Sequence, residues 1–311
     1  RGMRTLGFAF RENPGGSDEL AEEAKELTWL GFTAIADPVR PDVPEAIGSC
    51  YRAGIQVKMV TGDNPETAKE IGRQIRLWND GEPEPGAIMT GAEFDSLTDE
   101  QAVEAAPKLK IMARARPNDK LKLVRALKAS GQVVAVTGDG TNDAPALNYA
   151  DVGIAMGISG TEVSKEAADI VLLNDSFSTI VTTVKWGRGI YENFKRFIQF
   201  QLTVNVASVL TVFICAIVGL FVEGFHSPFS ALDLLWINII MDGPPALTLG
   251  LEPIRDDLMT RKPTARSESI VSKEMLRRIA VNGVFMCLVC LAQQGFNFLG
   301  VEENMVQTSV F

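Results

Sequence analysis

Val133-Val134-Ala135-Val136-Thr137-Gly138-Asp139-Gly140-Thr141-Asn142-Asp143-Ala144-Pro145-Ala146-Leu147 is the stretch on which the fold turns. A short β-branched run ends in a loop of glycines and aspartates, and the loop enters Ala-Pro-Ala-Leu, a helix start with proline in its first turn. Strand, acidic loop and helix in that order form one unit of an α/β sheet, in which ligands bind beyond the carboxyl ends of parallel strands. Asp139 and Asp143 are delivered into that crevice. Two carboxylates among glycines suit a hard cation that holds phosphate oxygens. A solvated Asp-Gly turn would account for Asp139-Gly140 alone, but not for the whole run into the helix.

The same type of unit recurs along the chain. Thr5 to Phe10 reads as a strand, Ser17 to Leu30 as an acidic helix and Gly31 to Ala36 as a second strand that leads into Asp37-Pro38-Val39-Arg40. Pro38 and Pro41 keep that connection out of a helix. Pro44 to Ala53 then reads as a helix, Gln56 to Val60 as a strand and Glu66 to Ile75 as a helix. Between the last two lies Thr61-Gly62-Asp63-Asn64, a second Thr-Gly-Asp; a helix cap would explain one copy, and the repeat favours a phosphate loop. Lys110 to Ala113 forms a further strand and is followed by Arg114, Arg116 and Lys120. A basic cluster is usually a solvated face, but here it lies between two phosphate-type loops, where the Lys120 ammonium would neutralise phosphoryl charge. Ala150 to Met156 and Ala168 to Leu173 add two buried strands, so a doubly wound, mostly parallel sheet is expected.

Thr137 to Leu147 resembles the hinge-and-magnesium signature of P-type cation-transporting ATPases, within the haloacid-dehalogenase-like superfamily. The resemblance continues through Asp37 to Arg40, Met59 to Asp63, and Ala113-Arg114 through Lys120, and into an apolar region from about Gly187 onward. It implies an α/β haloacid-dehalogenase-like (Rossmann-like) phosphorylation domain followed by an α-helical transmembrane region. Residues 1–36 would end the nucleotide-binding domain, 37–185 would form the phosphorylation domain and 186–311 the membrane region. The resemblance assigns Mg²⁺ to Asp139, with Asn142 and Asp143 shaping the same loop and Asp143 as a further candidate ligand. It gives the phosphoryl group to Thr61 and Lys120, the hinge to Asp37 and Arg40, and nucleotide or hinge contacts to Gly62 and Asp63. The signature Asp-Lys-Thr-Gly-Thr, whose Asp takes phosphate from ATP, does not occur in this sequence. In the family that segment also supplies a central strand. The resemblance therefore implies a carboxy-terminal portion, partnered by a missing amino-terminal portion of the same pump and inactive by itself.

Composition agrees with a divided chain. Its 311 residues are 46% hydrophobic, with a mean hydropathy of +0.09, and the apolar residues concentrate after about Lys185. The net charge of -9 argues against a nucleic-acid partner. Four cysteines give no disulfide framework, and Cys287 and Cys290 read as packing residues because zinc needs further ligands close by. Arg1-Gly2-Met3-Arg4 does not read as a signal peptide.

Phe197 to Val222 runs uncharged for about 26 residues, or about 39 Å of helix, enough to cross a bilayer. Ala231 to Leu251 and Ile279 to Gly300 are the second and third candidate spans. Lys and Arg gather before the first span and between the second and third, whereas the connection from Glu223 to Ser230 has neither. By the positive-inside rule the phosphorylation domain lies in the cytosol, and the resemblance points to the cell membrane. Asp242 lies within the second span, where a carboxylate costs roughly 2.5–3.5 kcal/mol to insert. Asn238 shares its helix face, and Gly243-Pro244-Pro245 should break the helix and free carbonyls. Asn205 is the matching amide of the first span. Two amide oxygens and a carboxylate are hard ligands suited to Ca²⁺. These spans resemble the fifth and sixth helices of calcium pumps, and Ser208 and Met241 stand where the sarcoplasmic-reticulum type has its second-site ligands. The pattern is thus closer to the plasma-membrane type with one ion. ATP-driven Ca²⁺ transport through a phospho-aspartate is the function implied. A pump for Mn²⁺ or a monovalent cation, a soluble phosphatase and a non-catalytic membrane scaffold are the alternatives.

Overall fold

The structure, a computed structural model, describes residues 4–10, 27–35, 38–79, 81, 85–222, 225–302 and 305–310. Its elements run β1 (Arg4–Phe10), β2 (Thr28–Ile35), α1 (Val43–Arg52), β3 (Met59–Val60), α2 (Pro65–Gln74), β4 (Ile88–Thr90), α3 (Gly91–Asp95), α4 (Asp99–Ala105), β5 (Ile111–Ala113) and α5 (Pro117–Ala129). They continue with β6 (Ala135–Gly138), a 3-10 turn (Thr141–Asp143), α6 (Ala144–Tyr149), β7 (Val152–Met156), α7 (Glu162–Glu166), β8 (Ile170–Leu172) and α8 (Phe177–Val218). The chain then forms α9 (Ala231–Asp242), α10 (Pro244–Gly250), a 3-10 turn (Asp256–Thr260), α11 (Lys273–Phe296) and α12 (Val306–Val310). They fall into two compact units, Arg1–Thr182 with Met259–Arg266, and Thr183–Leu258 with Ser267–Phe311.

In the first unit the described β strands form three sheets. β1 and β2 pair antiparallel, with Trp29 opposite Ala9 and Thr28 opposite Phe10. This corrects the end of the expected acidic helix, since Thr28 to Leu30 are strand; the β-favouring Thr-Trp pair finds a partner across the ribbon that a local helical pattern does not register. The parallel strands are arranged β3-β5-β4 and β6-β7-β8. A single doubly wound sheet is therefore corrected to two three-stranded parallel sheets. Among the described residues no strand pairs with the open side of β3 or of β6.

The two sheets nevertheless share apolar neighbours. Phe94, Leu109, Met112, Leu123, Leu127 and Ala146 form one buried cluster, and Val60 from β3 and Val136 from β6 both pack on it. The residues that follow, Thr61 and Thr137, thus leave from one common core. A second cluster centres on Ile47, Leu77 and Ile111, and a third on Ile154, Leu172 and Ile180. Phe177, in the first turn of α8, packs against both. Arg266, from the segment that returns to this unit, lies 3.2 Å from Asp151.

The second unit is helical. α8 and α11 are the two described helices long and apolar enough to cross a membrane, with mean hydropathies of 2.1 and 1.7 in their most apolar windows. The candidate span Ala231 to Leu251 is two shorter helices separated at Gly243, the interruption expected there, because Pro244 and Pro245 bring no N–H to continue the ladder. Gly283 sets the approach of α11 to α8. A Cβ there would lie 2.9 Å from Val206 Cγ1 and 3.4 Å from the Thr203 carbonyl.

Candidate functional site

The first group of candidate residues stands where β6 gives way to α6. Asp143 is buried, and both of its oxygens are engaged. Oδ1 accepts from Lys120 Nζ at 2.6 Å, while Oδ2 accepts from the amides of Asp139 and Gly140, each at 3.3 Å. Gly138 is required beneath it, since a Cβ there would fall 2.4 Å from Asp143 Cβ. Asp143 therefore holds the loop in shape and fixes the ammonium of Lys120 beside it. Asp139 differs: its side chain is exposed and has no hydrogen-bond partner among the described residues. Its backbone is nonetheless held, the carbonyl accepting from the Thr161 amide at 2.8 Å and from Ser164 Oγ at 3.2 Å. Asn142 is exposed as well.

Lys120 owes its place to the start of α5. Asp119 is 1% exposed, and its Oδ2 accepts the Arg116 amide at 2.8 Å, closing the first helical turn. Sequence reasoning gave Asp119 no role. A buried acid at the third helical position is a signal that only the reciprocal cap explains.

The second loop follows β3. Thr61 Oγ1 donates to Asp63 Oδ2 at 3.0 Å and accepts the Asp63 amide at 3.1 Å, so hydroxyl and carboxylate are bound to each other. Gly62 is exposed between them. The loop is tied to the end of β5, where the Arg114 amide donates to the Asp63 carbonyl at 2.8 Å and the Ala115 amide to the Thr61 carbonyl at 2.9 Å. Arg114 takes a left-handed φ of 48° to do so. No described hydrogen bond joins this loop to Asp139; what they have in common is the core beneath Val60 and Val136.

Of the hinge pair, Asp37 lies outside the described residues. Arg40 Nη1 donates to the carbonyl of Asp175, and Asp42 Oδ2 accepts from Ser176 Oγ at 2.6 Å. Asp175 is a residue that the sequence reading missed. Burial pushes its carboxyl up, but the amides of Ile158 and Ser159 outweigh that and bring it down to about 2.

In the helical unit Asn238 and Asp242 are exposed one turn apart on α9, and Asn205 is half-buried on α8. The described contact between these helices is made by another residue. Gln201 Nε2 donates to Asp242 Oδ1 at 2.8 Å. Its signal in the sequence was its position four residues before Asn205, on the same helix face. Ser208 Oγ donates back to the Val204 carbonyl at 2.9 Å.

The chemistry of the first group fits Mg²⁺. One exposed carboxylate on a fixed backbone suits an ion that takes one or two protein carboxylates and completes its shell with phosphoryl oxygens and water. Among the described residues no cluster of three or more His, Cys, Asp or Glu side chains is placed to enclose a metal.

Residues 3–151 match the family model for haloacid dehalogenase-like hydrolases, and residues 226–311 the model for the C-terminus of cation transporting ATPases. The chain is 43% identical over 314 residues to calcium-transporting ATPase 7, plasma membrane-type, of Oryza sativa subsp. japonica, covering 99% of this chain and 30% of that protein. It is 42% identical over 307 residues to calcium-transporting ATPase 12, plasma membrane-type, of Arabidopsis thaliana, covering 98% and 29%. With calcium-transporting ATPase 2 of Cryptococcus neoformans var. grubii it shares 42% over 315 residues, covering 97% and 22%. The chain thus spans less than a third of the length of these curated relatives.

Proposed function

We infer that this chain, which belongs to the P-type cation-transporting ATPases, is the part of an ATP-driven calcium pump that carries phosphate-handling loops and a share of the ion path. The observation that carries the reading is the unequal use of the two acids of one loop. Asp143 is spent on Lys120 and two amides, and Asp139 is left open on a backbone that Thr161 and Ser164 hold. A loop needed only as a turn has no reason to fix the backbone beneath a carboxylate that it leaves open.

In the intact protein, Asp139 would hold Mg²⁺, which when bound neutralises phosphoryl oxygens. Lys120, kept in place by Asp143, would face the same phosphoryl group with its positive charge. Thr61 would turn its hydroxyl from Asp63 to a phosphoryl oxygen. ATP and the aspartate that becomes phosphorylated belong to the portion of the pump outside this sequence. The transported ion is assigned to Asn205, Asn238 and Asp242, with Gln201 as a hydrogen-bonded neighbour of Asp242. Helices α8 and α11, and the broken pair α9 and α10, would lie in the bilayer of the cell membrane, with the first unit in the cytosol.

ATP hydrolysis by the full-length parent in membranes, with Ca²⁺, Mn²⁺, Na⁺ and K⁺ titrated separately, tests this reading beside Asp242→Asn. Micromolar Ca²⁺ should stimulate the parent, and the variant should lose at least about tenfold in Ca²⁺ affinity, since a charged ligand is removed. Stimulation by another ion would change the cargo. Turnover indifferent to every ion would favour the scaffold.

A further inference from the structure

Asp175 stands at the joint between β8 and α8, and nothing in the reaction above uses it. It is 5% exposed and adopts a left-handed φ of 51°. Oδ1 accepts the Ile158 amide at 3.0 Å and Oδ2 the Ser159 amide at 2.7 Å. A carboxylate so buried is costly unless its oxygens are met, and here the two oxygens take adjacent amides at the start of one short loop. That loop continues to Thr161, whose amide donates to the Asp139 carbonyl at 2.8 Å. Ser164 Oγ shares its one proton between that carbonyl, at 3.2 Å, and the nearer Thr161 carbonyl, at 2.7 Å.

On its other side Asp175 meets the hinge. Its carbonyl accepts from Arg40, and the next residue, Ser176, donates to Asp42 at 2.6 Å. Phe177 then begins α8 with its ring against two apolar clusters. A continuous line of hydrogen bonds and short chain segments therefore runs from Asp139 through 158–161 to Asp175. From there it branches to Arg40 and to the first turn of α8.

We propose that Asp175 is a positioning residue, whose carboxylate clamps the 158–161 loop so that Asp139 is presented to Mg²⁺ and moves together with the hinge at Arg40. The proposal rests on the reading of Asp139 as the Mg²⁺ ligand. It gives Asp175 no contact with the reacting atoms.

The test uses the full-length parent with Asp175→Asn, Asp175→Ala and Asp139→Asn. The first readout is amide hydrogen exchange without metal or nucleotide, followed at 157–164, 139–143 and 174–182. The second is the Mg²⁺ dependence of phosphoenzyme formation. Asp175→Asn keeps the size but turns one acceptor into a donor facing an amide, and it carries the test if Asp175→Ala does not reach the membrane. Both Asp175 variants should exchange faster at 157–164 and also at 139–143. Half-saturating Mg²⁺ should rise about tenfold, the effect of losing a group that orients a metal ligand, with phosphorylation at saturating Mg²⁺ kept within about twofold. Faster exchange confined to 157–161, with Mg²⁺ half-saturation unchanged, would reduce Asp175 to a local loop anchor and overturn the proposal. If Asp139→Asn itself leaves the Mg²⁺ dependence unaltered, the Mg²⁺ reading fails instead. The spread of exchange from 157–164 to 139–143 then decides the clamp.

Discussion

At the scale of the residue, Lys120 and Asp143 do two things at once, and those can be separated. Their charges are 2.6 Å apart and partly buried, so removing only the cation leaves Asp143 with two amides and no counter-charge. Lys120→Met should therefore lower stability by about 1–3 kcal/mol, as read from denaturant unfolding of the purified parent. It should also lower the rate of phosphorylation by ATP about 10²–10³-fold, the usual effect of deleting a charge that stabilises a transition state. Adding Asp143→Asn to Lys120→Met should recover stability but not rate. Recovery of both would mean that Lys120 is structural only. The sequence made the acids of this loop visible through their spacing and their glycines. It did not reveal which acid is open, because that depends on Lys120, which arrives 23 positions earlier on a helix whose first turn is set by buried Asp119. Asp175 was invisible for the same reason, its partners Ile158 and Ser159 lying in a loop with no pattern of its own.

At the scale of the element, what sequence patterns repeat was legible and what chains exchange across space was not. Long uncharged runs announced the later part of α8 and most of α11 but not the charged first half of α8, and Gly243-Pro244-Pro245 announced the break between α9 and α10. The β1–β2 ribbon was misjudged at Thr28 to Leu30, where pairing with Ala9 and Phe10 decides the state. The contact between α8 and α11 was also hidden, since a lone glycine in an apolar helix says nothing of what it faces. Gly283 faces Val206 and the Thr203 carbonyl, with no space for a branched side chain. Gly283→Ile should force these helices apart and cost about 1–3 kcal/mol as overpacking, seen as a lower melting temperature of the parent in detergent, whereas Gly295→Ile, where a Cβ would meet nothing within 4 Å, should cost little. Equal effects at both positions would show that α8 and α11 are not packed through Gly283.

At the scale of the whole molecule, the sequence promised one mostly parallel sheet and the described strands form two parallel sheets beside the β1–β2 ribbon. β3 pairs only with β5, and β6 only with β7, among the described residues, yet Val60 and Val136 rest on one core. The resemblance implies that a strand ending in Asp-Lys-Thr-Gly-Thr is central to the sheet, and this sequence does not contain it. Two unpaired strand edges above a shared core are what the removal of a middle strand would leave. The loops at Thr61 and Asp139 would then flank the place where the phosphorylated aspartate belongs, with no acceptor between them. This 311-residue chain, expressed alone in membranes, should accordingly take no acid-stable phosphate from γ-labelled ATP. Co-expression with the preceding portion of the parent should restore the label, and restoration should fail with Asp139→Asn in this chain. Both halves of that outcome are needed: label on the isolated chain would mean that it has an acceptor of its own. Label that survives Asp139→Asn in the reassembled pump would mean that the open carboxylate, which carries the functional reading, is not where the chemistry depends on this chain.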